Sequence, residues 1–336
     1  MKIGVLGAGS WGIALTVLLT ENGHEVTVWS VDKDEIDMLN TYREHKTKLP
    51  DVKIDERVIF TTDVELAVKE AELIVMVVPS PFIRSTAKRI ADYVNENQIV
   101  VNVSKGIEDK TLMTLTEVIS EELPTVKVGV LSGPSHAEEV GKKMPTTVVA
   151  GAEERAVAEK IQDTFMSNFF RVYTSPDVIG IELGAALKNV IALAAGIADG
   201  LGCGDNAKAA IITRGIAEIA RLGIKMGGDI NTFAGLSGMG DLIVTCGSKH
   251  SRNRKAGYLI GQGKSYEEAM SEVKMVVEGV YSAKAAYELS KKYDVQMPIV
   301  ETVNKVLFEN YDVNDALNGL LTRMRTSESK SLTWKR

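Results

Sequence analysis

Over its first 175 residues the chain alternates short apolar runs with stretches of helical spacing. Residues 3–6, 25–29, 73–78, 99–103 and 127–131 are rich in Val, Ile and Leu. Several are apolar throughout rather than alternating, the pattern of parallel strands covered on both faces. Between them, residues 13–22 and 111–122 place apolar side chains at helical intervals. Strand-helix alternation of this kind predicts a doubly wound α/β sheet. After Pro176 the pattern changes. From Ile181 onward nearly every segment is rich in Ala, Leu, Glu or Lys with helical period, and β-rich runs all but vanish. Gly-rich breaks at 199–202, 227–228 and 261–263 divide this half into several helices. The expected organisation is an α/β domain over 1–178, an all-helical domain over 179–325, and a polar tail, 326–336, that frays. There is no internal repeat.

The first predicted strand runs directly into Gly7-Ala8-Gly9-Ser10-Trp11-Gly12 and an apolar helix. This is G-x-G-x-x-G in the setting its chemistry requires. Gly7 permits a tight turn, Gly9 lets backbone approach a pyrophosphate, and Gly12 allows close packing of helix on strand. The helix N-terminus then offers unpaired N–H groups and the positive end of its dipole to the phosphates. With further βα units behind it, the segment predicts a Rossmann-type dinucleotide site; a glycine-rich turn without ligand is the plainer alternative. The second strand ends in Trp29-Ser30-Val31-Asp32-Lys33. NAD sites usually carry an acid there for the ribose hydroxyls, and NADP sites often a basic residue for the 2′-phosphate. Ser30 at the first position and Lys33 within reach of a phosphate lean towards NADP, while Asp32 keeps NAD open.

Later loops add chemistry at the same carboxyl edge, where open α/β sheets bind ligands. Ser104-Lys105-Gly106 brings a cation, and Ser132-Gly133-Pro134-Ser135-His136-Ala137 brings hydroxyls and an imidazole. His136 reads either as an acid/base group or as a packing residue. In the helical half, Lys188-Asn189 interrupts an apolar helix over 182–193. A lysine among Ala and Leu is costly to bury unless partnered, and desolvation beside another cation such as Lys105 lowers its pKa towards neutrality. A snorkelling surface lysine is the alternative. A Gly-rich turn, 235–240, delivers Asp241, and Ser251-Arg252-Asn253-Arg254 groups donors suited to a phosphate monoester; a solvated helix start explains the same cluster without function.

Composition narrows the field. Net charge is −6, from 39 basic and 45 acidic residues, which gives no basic face for nucleic acid. Two cysteines, Cys203 and Cys246, form no disulfide framework and fit a reducing cytoplasm. The N-terminus lacks a basic leader with a cleavage site. No run of 18 apolar residues occurs, and the longest candidate carries Lys188 and Asn189 in its middle, against a membrane span. No metal-ligand spacing, nucleophile elbow or Walker loop is present.

Taken together, GAGSWG at 7–12, VSKG at 103–106, GPSHAEEV at 133–140, LKN at 187–189, GLSGMGD at 235–241 and SRN at 251–253 closely resemble the prokaryotic NAD(P)-dependent glycerol-3-phosphate dehydrogenase family over nearly the whole chain. The resemblance implies reduction of dihydroxyacetone phosphate to sn-glycerol 3-phosphate by NAD(P)H for phospholipid synthesis. It implies Lys188 as proton donor and acceptor, and Lys105, Gly133, Ser135, Lys188, Asp241, Ser251, Arg252 and Asn253 around the substrate. Ser10, Trp11, Lys105, Ala137, Arg252, Val276 and Glu278 would touch the cofactor. Many relatives carry a basic residue where Val31 stands; its absence leaves Lys33 as the substitute and puts strict NADP preference in doubt. Another hydroxyacid or ketopantoate-type reductase, or a non-catalytic dinucleotide sensor, is the alternative function, and a homodimer the assembly considered.

Overall fold

The computed structural model describes residues 1–325, 327 and 328; apart from 327 and 328, the tail expected to fray lies outside the described residues. An eight-stranded sheet comes first: β1 (Lys2–Leu6), β2 (Glu25–Trp29), β3 (Ile59–Thr61), β4 (Leu73–Met76), β5 (Ile99–Asn102), β6 (Lys127–Ser132), β7 (Thr146–Ala152) and β8 (Phe170–Ser175). Their order is β3-β2-β1-β4-β5-β6-β7-β8, and every pairing is parallel except β6 with β7. The order reverses between β1 and β4, the switch point at which such sheets open a ligand crevice. Register makes that crevice straight-edged, because Leu6 lies beside both Trp29 and Met76, and Met76 beside Asn102. The loops after four strands therefore leave from one line.

Apolar side chains cover both faces of the sheet. Ile3, Val5 and Val75 contribute to one core with Leu15 and Leu19, while Leu6, Ile74 and Met76 contribute to another with Ile83 and Ile119. The helix Ser10–Glu21 lies so close that a Cβ on Gly12 would stand 2.1 Å from the Gly7 carbonyl oxygen, and Gly7 itself has φ +124°. Only glycine meets both demands.

Three strands escaped the sequence pattern. β3 has three residues; β7 mixes Thr, Ala and Gly into its apolar run; β8 alternates, with Arg171 and Tyr173 exposed. Each is short or carries a mixed pattern, so hydrophobic runs alone do not reveal it.

Beyond β8 every element among the described residues is helical. The central helix, Val178–Gly200, is buried along nearly its whole length and packs against the helices Gly204–Lys225, Asp241–Gly247, Arg252–Gly261 and Glu278–Lys292. By length and composition it could cross a membrane, but here it is the core of the helical lobe. Its contact with the helix Arg252–Gly261 is backbone on backbone. A Cβ on Gly196 would meet the Arg254 carbonyl at 2.1 Å, and one on Gly257 the Leu193 carbonyl at 2.1 Å.

Candidate active site

A cleft of about 920 Å³ runs along the carboxyl edge of the sheet to the central helix. At one end the glycine turn is held by the Gly7 N–H donating to the Trp29 carbonyl at 2.9 Å. The helix Ser10–Glu21 has no side-chain cap at its start. Its first N–H groups therefore remain available for an anion, and Gly7, Gly9, Ser10, Trp11 and Gly12 all line the cleft. A pyrophosphate fits this cradle.

Past β2 the charges are arranged differently from what the local sequence suggests. Asp32 caps the helix Lys33–Tyr42, accepting from the Asp34 and Glu35 N–H groups at 3.0 and 3.2 Å. Lys33 points to solvent, pairs with Asp37 at 2.7 Å and is not part of the cleft wall. Val31, Lys48 and Arg89 do line it, Arg89 lying over the Trp29 ring at 5.6 Å. Glu35 is buried against Ser30 (2.7 Å), His45 Nε2 (2.9 Å) and Lys48. Burial alone would raise its carboxyl, but these hydrogen bonds outweigh it and hold the group at about 2. Nothing near Ser30 in the sequence points to Lys48 or Arg89; the fold brings them there.

At the other end two lysines share one carboxylate. The Lys188 amine donates to Asp241 Oδ1 at 2.7 Å and to Thr245 Oγ1 at 2.6 Å. The Lys105 amine donates to Asp241 Oδ2 at 2.7 Å and to the Gly133 carbonyl at 3.0 Å. Asp241 is 1% exposed and sits behind the amines, while Lys188 and Lys105 line the cleft. Burial pulls the Lys188 pKa down, Asp241 pulls it up and Lys105 pulls it down again, leaving it at about 8. Asp241 stays below its usual value against burial because both lysines stabilise its charge. Thr245 was not singled out from sequence, although it stands four residues after Asp241, one turn along the same helix face. His136 also lines the cleft. Burial first, then Lys188, holds it below its usual pKa, and its Nε2 is buried without a hydrogen-bond partner among the described residues.

The same cleft holds residues of the donor cluster. Ser251 caps the helix Arg252–Gly261 through the Arg254 N–H at 3.2 Å. Asn253 donates to Asn189 Oδ1 at 2.9 Å and accepts from the Gly279 N–H at 2.8 Å, so its side chain ties three helices together. Arg254 turns away to Asp199 at 2.7 Å. Arg252 is left as the guanidinium on the cleft wall. Ser135, Ala137, Val276 and Glu278 complete that wall, with Glu278 accepting from the Ser80 N–H at 3.0 Å and from its hydroxyl. Gly133 reaches the site through its carbonyl, which also accepts from Ser135 Oγ at 2.9 Å.

The family model described as NAD-dependent glycerol-3-phosphate dehydrogenase N-terminus matches residues 2–158, and its C-terminus counterpart matches 177–318. The chain is 59% identical over 334 residues to the glycerol-3-phosphate dehydrogenase (NAD(P)+) of Agathobacter rectalis, covering 99% of each. It is 52% identical over 334 residues to that of Bacillus subtilis, covering 98% of this chain and 97% of the relative. The crystal structure of glycerol-3-phosphate dehydrogenase from Coxiella burnetii superposes with TM-score 0.93 at 35% identity, over 96% of this chain and 99% of that one. A glycine turn, a shared-carboxylate lysine pair and a donor cluster in one cleft, joined to matches in both halves, thus carry one conclusion: the chain belongs to the NAD-dependent glycerol-3-phosphate dehydrogenase family.

Proposed function

We propose that the protein reduces dihydroxyacetone phosphate to sn-glycerol 3-phosphate with NADPH, supplying glycerophospholipid synthesis. The observation that carries the reading is the Lys188 amine, buried on a carboxylate it shares with Lys105 and lining the same cleft as the glycine turn and Arg252. NADPH held along the glycine turn Gly7–Gly12 would supply a hydride to the central carbonyl carbon. The chain supplies the rest. Lys188, as ammonium, polarises the carbonyl oxygen and gives it a proton from Nζ; in the reverse direction the free amine takes that proton back. Lys105 and Asp241 hold the reacting end and tune Lys188. Thr245 fixes the Lys188 amine by accepting its second hydrogen bond.

Arg252 takes the phosphate, since Asn253 and Arg254 are already engaged within the protein. Binding energy from that non-reacting group also serves the transition state, because it holds the near-attack geometry. Arg252→Ala is expected to cut kcat/KM for dihydroxyacetone phosphate far more than for unphosphorylated dihydroxyacetone. Equal losses would contradict the clamp. A carboxylate-directed reductase or a silent sensor would leave this arrangement without a purpose.

Preference for NADPH rests on the end of β2. Asp32 is occupied as a helix cap, Glu35 is engaged by Ser30, His45 and Lys48, and the cations Lys48 and Arg89 face the cleft. Steady-state oxidation of NADPH and NADH side by side tests it. Replacing Lys48 and Arg89 together by Ala should lower kcat/KM for NADPH about tenfold or more, the scale of one charge-assisted hydrogen bond, with NADH little changed. Loss shared equally by both cofactors would refute the assignment. A cytoplasmic setting is proposed alongside, in keeping with two free cysteines, of which Cys246 is buried. Homodimeric assembly is proposed with it, to be decided by sedimentation.

A further inference from the structure

Glu182 lies one and a half turns before Lys188 on the central helix, and the reaction described above makes no use of it. It is 4% exposed. Its partners are neutral: Oε1 accepts from Asn102 Nδ2 at 3.0 Å and from the Thr116 N–H at 3.0 Å, and Oε2 accepts from the Thr116 hydroxyl. A buried carboxyl without a cation costs more than an amide or a hydrocarbon of similar size would. Packing alone does not call for one. Burial raises the Glu182 pKa and its hydrogen bonds oppose that, and every contact it makes is with a donor, so the groups around it turn their hydrogens inward.

That constraint matters at Asn102, the last residue of β5. With Nδ2 committed to Glu182, Oδ1 faces the other way and accepts from the Ser104 N–H at 3.0 Å, while Nδ2 also reaches the Ser104 carbonyl at 3.1 Å. Both peptide groups of Ser104 are thereby pinned, and the next residue is Lys105. We propose that Glu182 is a positioning residue for Lys105, acting through the side-chain amide of Asn102 and the backbone of Ser104. Lys105 in turn sets how much of Asp241 is left to Lys188, so the same helix carries the proton donor and, six residues earlier, the group that adjusts its neighbour. This inference rests on the reading of Lys188 as that donor.

The titratable groups set around Lys188 are Asp241 and Cys246 on the helix Asp241–Gly247, Lys105 after β5 and His136 after β6; Asp199, Lys208 and Arg254 lie beyond Cys246. If Lys105 drifts from Asp241, Lys188 gains attraction and loses repulsion, and its pKa rises. Three variants of the whole chain separate the relay from plain structure: Glu182→Gln, Asn102→Ala and Thr116→Ala. The readouts are the rate at which acetic anhydride labels Lys105, followed by mass spectrometry, and the alkaline limb of the kcat/KM profile for ketone reduction.

Glu182→Gln and Asn102→Ala should raise labelling of Lys105 several-fold and move the limb up by roughly half a unit. Thr116→Ala removes a donor from the same carboxylate without touching Asn102, and should change neither. Unchanged labelling in Asn102→Ala overturns the proposal, as does an equal response in Thr116→Ala. Raised labelling with an unmoved limb upholds the relay and counts instead against Lys188 as the group that titrates. Should Glu182→Gln fail to fold, the Asn102→Ala and Thr116→Ala pair decides alone.

Discussion

Lys188 shows how little a side chain's type says about its acidity. Removed from water it would surrender its proton readily; beside Asp241 it would keep it; Lys105 on the far oxygen of that carboxylate pulls the pKa down again, and about 8 is the balance. The sign of the pH dependence follows. Ketone reduction needs the ammonium and should fall as pH rises through about 8, while alcohol oxidation needs the free amine and should rise through the same region. The profile reports the lysine pair with Asp241 rather than one isolated group. Lys188→Ala should lose about 10²- to 10⁴-fold in kcat, and near-full turnover would remove it from the mechanism. Much of this centre was legible in sequence, because Lys188 interrupts an apolar helix and Asp241 ends a glycine turn. Lys33 was not: the same stretch of chain that brings it near β2 also makes it the first residue of a helix, where it pairs with Asp37 in solvent.

Among elements, the seam between the central helix and the helix Arg252–Gly261 controls where Arg252, the proposed phosphate clamp, stands. Gly196 and Gly200 on one helix face Gly257 and Gly261 on the other, each pair four residues apart. In the sequence Gly200 and Gly261 read as helix breaks, and both helices do end there. Their second role is invisible without the partner helix, since a small residue advertises neither what approaches it nor how near. Gly257→Ala would drive a methyl into the Leu193 carbonyl and force the helices apart. The expected cost is about 1–3 kcal/mol of stability, read as a lower Tm, with a raised KM for the phosphorylated substrate as Arg252 is displaced. An unchanged Tm would mean the seam has slack. Strand prediction failed for a related reason: β7 and β8 take their place from pairing, β7 against β6 and β8 against β7, rather than from their own composition.

Across the whole molecule, sequence pattern separated the two architectures, because a parallel sheet and a helical bundle leave different periodicities. It did not reveal which distant residues share the cleft. Lys48 and Arg89 come to it from chain segments whose meeting is set by topology alone. That meeting has an electrical consequence. The polypeptide as a whole is an anion of formal charge −6, yet around Lys188 two ammonium groups stand against one buried carboxylate, and the Arg252 guanidinium lines the same cleft. An incoming phosphate ester is repelled at long range and welcomed at short range. Simple salt screens both fields beyond about 8 Å at physiological strength, so it quiets the repulsion outside while leaving the attraction within largely intact.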